Sequence, residues 1–196
     1  RLEINSSIMA TFKINGKNFA TQDGTGAATI HSDVVFPTGK IINSSATTFS
    51  GGDHTTSATS KEAVLDYQQI SCTVGNTIMF FYSGTAYSDR TSSTAFRVGN
   101  MYTYQSTSAV SQGATSSLGT ELVKYRNGIE FQSASNDSAG PYIPFNSIGV
   151  FEATATTHYL GLVFNSSITQ ASLKIFMSSD VKLIFNYYEI QGDVLT

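Results

Sequence analysis

Apolar and polar residues alternate with a period of two through most of this chain, in short runs broken by turn-forming clusters. That period places successive side chains on opposite faces of an extended backbone, so it predicts strands. Such runs cover residues 8–14, 40–49, 64–74, 77–87, 95–104, 120–131, 147–154, 159–164, 171–177 and 181–190. Between them lie Asn15-Gly16, Ser50-Gly51-Gly52-Asp53, Val74-Gly75-Asn76, Asn127-Gly128 and Ser178-Ser179-Asp180, rich in the residues that tolerate turn conformations. Asn127-Gly128, flanked by Lys124-Tyr125-Arg126 and Ile129-Glu130-Phe131, reads as a hairpin turn. Helical periodicity is almost absent, and only residues 60–64 suggest a short helical turn. Many short strands with regular punctuation predict an all-β fold, a sandwich or a barrel.

The closing run, Val181 to Ile190, departs from simple alternation. One face carries Val181, Leu183, Phe185 and Tyr187, and the other carries Ile184, Tyr188 and Ile190. A strand with one face in water should be polar on every second residue. Here one apolar face can join the core, and the second needs other cover, which a sister subunit would supply. Phe80, Phe81 and Tyr82 are consecutive, so at least one of them points away from the core. The expected self-contact therefore consists of Phe81, Ile184, Tyr188 and Ile190.

Residues 1–35 show little continuous apolar pattern and are expected to form a neck or N-terminal extension to a head domain spanning 36–196. Because the sequence begins at Arg1 without Met, it is expected to be part of a longer or processed product. Residues 104–120 form a Ser/Thr/Gly-rich stretch with no place in the strand pattern.

Composition narrows the function. Charged residues make up 13% of the chain against roughly 25% in an average domain, and Ser, Thr and Gly fill the difference. The net charge is −3, and the 11 basic residues are scattered, so the Lys/Arg stripe that nucleic acid or anionic lipid requires is missing. No run approaches the length of a membrane span. The single cysteine, Cys72, allows no intrachain disulfide and reads as an inert thiol on a strand.

Candidate chemistry is sparse. His31, His54 and His158 lie far apart, without metal-ligand spacing. Asp53-His54 is a possible acid–base pair, but neighbours in a loop seldom face one substrate. There is no Gly-x-Ser-x-Gly elbow, and Glu121, Glu130, Glu152 and Glu189 stand singly. The chain is thus expected to be neither an enzyme nor a cofactor or metal carrier. Aromatic residues are more suggestive, with 10 Tyr and 13 Phe but no Trp. Tyr102 and Tyr104 share a face. Tyr87, Asp89 and Arg90, together with Tyr142, are expected to form loops in which aromatic rings and polar groups meet a receptor.

The run Phe36-Pro37-Thr38-Gly39-Lys40-Ile41-Ile42, the later Ile70-Ser71-Cys72-Thr73-Val74 and Ile78-Met79-Phe80-Phe81-Tyr82, and the ending Tyr188-Glu189-Ile190-Gln191-Gly192 resemble the C-terminal heads of bacteriophage tail-fibre and related viral spike proteins. The similarity spans residues 35–192 and rests on strand order and edge signals rather than on a catalytic signature. It implies a jelly roll akin to the C1q and tumour-necrosis-factor type, assembled as a homotrimer at the virion surface. It also implies contact with other virion proteins and attachment to a host glycan or protein receptor. Two other classes fit the composition: a capsid decoration protein without a receptor, and a cellular carbohydrate-binding module or adhesin domain.

Overall fold

The computed structural model describes residues 10–14, 17–22, 29–30, 38–56, 58–90, 97–131, 143–166, 171–175, 177 and 180–195. The chain divides into two compact units, Arg1–Pro37 and Thr38–Thr196. In the first unit, β1 (Ala10–Ile14), β2 (Lys17–Gln22) and β3 (Thr29–Ile30) form a small antiparallel sheet in that order. Only two residues separate β1 from β2, a hairpin spacing that Asn15-Gly16 suits.

The second unit contains β4 (Ile41–Phe49), β5 (His54–Thr56), β6 (Glu62–Ala63), β7 (Gln68–Ser71), β8 (Thr77–Arg90), β9 (Arg97–Ser106), β10 (Thr120–Phe131), β11 (Ile143–Glu152), β12 (Thr157–Ser166), β13 (Ala171–Ile175) and β14 (Leu183–Ile190). No helix occurs among the described residues. The strands make two antiparallel sheets. In one, β8 is the spine. β11 pairs along one edge, while β14 and β13 take successive stretches of the other edge and carry β4 and β5 outside them. In the other sheet, β10, β9 and β12 lie side by side, and β12 also pairs with β7 and β6.

Alternate residues of both sheets meet in one core. Ile78, Phe80 and Tyr82 of β8 and Leu183, Phe185 and Tyr187 of β14 face Met101 of β9 and Leu160, Leu162 and Phe164 of β12. Aromatic rings pack against one another there, with Tyr82 and Phe185 tilted at 5.0 Å between centroids and Phe185 stacked on Tyr187 at 6.1 Å. The fully buried Tyr82 hydroxyl donates to the Leu160 carbonyl at 2.8 Å, tying one sheet to the other.

A second, smaller apolar cluster lies on the outer side of the β9–β12 sheet. Tyr102, Tyr104 and Val163 are covered there by Tyr67, Val110 and Leu118. Val110 and Leu118 belong to the Ser/Thr/Gly-rich stretch, which folds back as a lid on its own sheet. Its backbone is anchored by Tyr67 N–H to the Val110 carbonyl and by Ala63 N–H to the Ala114 carbonyl, both 2.9 Å. Tyr67 lies flat over Gly161, where an added Cβ would fall 2.0 Å from its ring, so only glycine fits beneath it.

Three local expectations are corrected. Residues 64–74 do not form one strand. The chain breaks between β6 and β7 so that Val64 and Leu65 enter the main core while Tyr67 turns to the outer cluster. Residues 60–64 make no helical turn, because Glu62 and Ala63 pair with Phe164 and Val163 of β12. Asn127-Gly128 does not reverse the chain. β10 runs through it, and the register against β9 slips between Tyr125 and Ile129, so these residues supply a bulge.

The ending Glu189-Ile190-Gln191-Gly192 has a physical role. Glu189 points inward and is buried, and its Oε1 accepts from Thr73 N–H and from Asn76 Nδ2, both at 2.7 Å. Asn76 Oδ1 accepts from Gly192 N–H at 2.9 Å, and Gly192 holds the left-handed φ of +76° needed to turn there. The motif clasps the last strand to the turn before β8. Replacing Glu189 with Ala takes the acceptor from the buried Asn76 amide and the part-buried Thr73 N–H, and the denaturant midpoint should drop by the equivalent of about 2 kcal/mol. Glu189→Gln, which keeps an acceptor oxygen, should lose clearly less.

Candidate functional site

The alternation of β14 is realised as predicted: Leu183, Phe185, Tyr187 and Glu189 are buried, while Ile184, Asn186, Tyr188 and Ile190 face outward. Ile184 is 39% exposed, and Tyr188 and Ile190 are half-buried. Phe81 shares this face, with its ring edge-on to Tyr188 at 6.1 Å between centroids. The four residues expected to make a self-contact therefore lie on one surface of one sheet.

Strand register extends that surface. Asn186 stands opposite Phe81, and Phe81 stands opposite Ile148 of β11. Tyr188 stands opposite Met79, and Met79 opposite Val150. Ile190 stands opposite Ile41 of β4. Met79, Phe81, Ile148, Val150 and Tyr188 are all half-buried, and Ile41 and Ile42 are 52% and 41% exposed. The result is a nearly uncharged apolar band three strands wide. Sequence reasoning missed Met79, Ile148 and Val150. The parity of Met79 with Phe81 was available, but the pairing that brings β11 alongside was not.

β4 borders this band. Every residue from Ile41 to Thr48 is exposed, on both faces of the strand, and β14 is its single strand partner among the described residues. Phe49 at its end packs against the core, and the rest of the strand is held by its ladder and by contacts such as the hydrogen bond that Asn43 Nδ2 donates to the Tyr187 hydroxyl at 3.1 Å.

Three of the residues expected in loops lie on a strand. Tyr87, Asp89 and Arg90 belong to β8, where they pair with Lys174, Ser172 and Ala171 of β13. The strand simply continues beyond the point at which the apolar alternation stops, because β13 is there to pair with it. Tyr142 lies outside the described residues, as do His31 and the Phe36-Pro37 entry. Tyr102 and Tyr104 share a face, as their spacing requires, but the chain's own lid buries both. Above them, Lys61 stands 4.5 Å from the Tyr102 ring centroid, donates to the Tyr104 hydroxyl at 2.8 Å and pairs with Glu121. Burial pulls this ammonium down, but the hydrogen bonds to Glu121 and Tyr104 outweigh it and raise the group above the ordinary lysine value.

The two described histidines are built into hydrogen-bond networks. His54 Nδ1 receives the Gln112 amide at 3.1 Å, which puts the proton on Nε2. Nε2 lies 3.1 Å from Glu62 Oε1, close but poorly aligned, and the other oxygen of Glu62 accepts from Thr56 Oγ1 at 2.6 Å. The imidazole is thus buried, with Nδ1 engaged and Nε2 facing Glu62. His158 Nε2 accepts from Ala155 N–H at 3.2 Å, and its Nδ1 meets Gln105 Oε1 at 3.0 Å, fixing the Nδ1–H tautomer. Asp53, the neighbour of His54, turns away to Lys174 at 2.7 Å and to Met177 N–H at 2.9 Å. Cys72 is half-buried, its thiol raised by burial and then by Glu189. Among the described residues, no three His, Cys, Asp or Glu side chains gather as a metal ion would need.

No protein-family model matches the chain, and none of the curated proteins compared with it is similar at a significant level.

Burial lowers the pKa of both His54 and His158 from the ordinary 6.5, in His54 against the pull of Glu62. The unfolded chain therefore binds more protons than the folded one as pH falls below about 6.5, and folding stability declines with it. Denaturant midpoints measured from pH 7.5 down to 5 should fall steadily. A midpoint that rises on acidification would contradict the neutral tautomers assigned here.

Proposed function

We propose that the chain is the head of a viral (bacteriophage) fibre or spike, which trimerises through the outer face of its β14–β8–β11 sheet and attaches the particle to a host surface. The observation that carries the reading is the asymmetry of the two outer faces. The β9–β12 sheet has its outer apolar residues closed by the chain's own loop, and the opposite sheet presents Met79, Phe81, Ile148, Val150, Ile184, Tyr188 and Ile190 without such cover among the described residues.

Covering such a band is favourable by roughly 25 cal/mol for each Å² of apolar area removed from water. Aromatic residues and methionine without charge are the composition of an interface core. The band sits beside β4, whose uncharged, β-branched sequence lacks the Lys or Pro that blunts a free sheet edge. A second and third copy cover both features at once, and a closed three-fold ring leaves none of them exposed. The jelly-roll reading is supported by strands that pair mostly with non-sequential partners. β4 lies beside β14, the first and last strands of the unit, and β9 lies beside β12. Low charge and a hydroxyl-rich surface suit a protein that works outside a cell.

Light scattering after gel filtration at micromolar concentration should give about 63 kDa, three times the 21.0 kDa chain. Ile184→Asp places a charge on the same outer face of β14, at an exposed position. It should yield a folded monomer with an unchanged circular dichroism spectrum. A wild-type chain that runs as a monomer would sink the reading.

A further inference from the structure

We propose that a pocket beside the end of β4 binds a neutral sugar residue. This names the ligand class for the attachment role and rests on that reading. The pocket has a volume of about 270 Å³ and is bounded by Phe49, Leu65 and Met177 on its apolar side and by Asp66, Gln68 and Gln112 on its polar side, with Gly51 and Gly52 completing the lining. Four separate stretches of chain converge there: the end of β4 and the turn after it, the break between β6 and β7, the lid over the β9–β12 sheet, and Met177 beyond β13.

The polar groups are held in place before any ligand arrives. Asp66 Oδ1 accepts from Gln112 N–H at 2.8 Å, and Oδ2 has no partner among the described residues. Gln112 Nε2 spends its two hydrogens on the Val64 carbonyl at 2.9 Å and on His54 Nδ1 at 3.1 Å. Gln68 Nε2 donates to the Asp66 carbonyl at 3.0 Å. With those donors engaged, the rim offers three acceptors, Asp66 Oδ2 and the two amide oxygens, and one donor, the second Nε2 hydrogen of Gln68. The matching ligand is rich in donors.

Charge narrows the class further. Among the described residues, Asp66 is the one ionisable group in the lining, and no cation lines the pocket with it. His54, behind Gln112, stays neutral, and the nearby Lys174 is committed to Asp53. Phosphates, carboxylates and acidic sugars are therefore repelled. A neutral pyranose presents several hydroxyl donors on its rim and C–H groups on its face, which match the acceptors and the Phe49, Leu65 and Met177 wall. A pocket this small holds one ring, so each site is weak, and three on one head gain by avidity.

The glycines supply a clean test. A Cβ added at Gly51 meets no atom within 4 Å, and its backbone is not left-handed, so Gly51→Tyr can fill the pocket without strain. Saturation-transfer NMR should be run on the whole chain with the methyl glycosides of glucose, galactose, mannose and N-acetylglucosamine, and with methylammonium as the cationic alternative. At least one glycoside should give a signal that persists at high salt, since a neutral ligand is not screened. Gly51→Tyr and Asp66→Ala should each weaken it by about tenfold or more. No glycoside signal, a signal that survives Gly51→Tyr, or salt-sensitive binding of methylammonium alone would overturn the proposal. The assembly reading is decided separately by mass. A trimer that ignores every glycoside loses only the pocket, and a monomer that binds one loses only the assembly.

Discussion

A β-sandwich has two outer surfaces as well as one interior, and each must be wetted or covered. Strands carry side chains on both faces at a fixed period, so any strand that is apolar at consecutive positions commits the fold to a second burial. In this protein that demand arises on both sheets and is met differently on each. Over β9 and β12 the chain spends a thirteen-residue connection as a lid, anchored by Val110 and Leu118 and fastened through backbone hydrogen bonds to Ala63 and Tyr67. Over β14, β8 and β11 the band of Met79, Phe81, Ile148, Val150, Tyr188 and Ile184 has no such lid among the described residues. The functional reading follows from that difference.

Polar burial serves the same architecture. Glu189 sits on the core face of the last strand, where an unpaired carboxylate would be costly, and it is tolerated because Thr73 and Asn76 donate to it. His54 and His158 are likewise buried with both ring nitrogens engaged or closely faced. These groups join segments distant in sequence, such as Asn76 and Glu189, at points where a strand ladder alone does not reach. These buried ionisable residues therefore act as fasteners. Asp66 differs, because one of its carboxylate oxygens borders the pocket and has no partner among the described residues.

The surface contains little charge and many hydroxyl groups, and β4 is the extreme case. Ile41 to Thr48 are exposed on both faces, yet the strand stays in register with β14 over nearly its full length. Its position beside the apolar band makes edge and face parts of one continuous surface. The pocket lies where β4 ends, so the features with a proposed binding role cluster around a single strand and its neighbours.

Period-two patterning determined the all-β class, most of the strand positions and the two-faced character of residues 181–190, because alternation is a local property that any extended backbone must express. Phe81, Ile184, Tyr188 and Ile190 could be assigned to an outer face for the same reason. Partner choice is not local. Only the folded chain brings β11 beside β8, and with it Ile148 and Val150 beside Phe81. The same is true of the lid that buries Tyr102 and Tyr104, of the run of β8 through Tyr87, Asp89 and Arg90, and of the bulge at Asn127-Gly128. A dipeptide that favours a turn can serve a bulge equally well, and the competition between them is decided by the neighbouring strand. The pocket of Phe49, Asp66, Gln68 and Gln112 was beyond reach of the sequence, since its walls come from stretches brought together only by tertiary contacts.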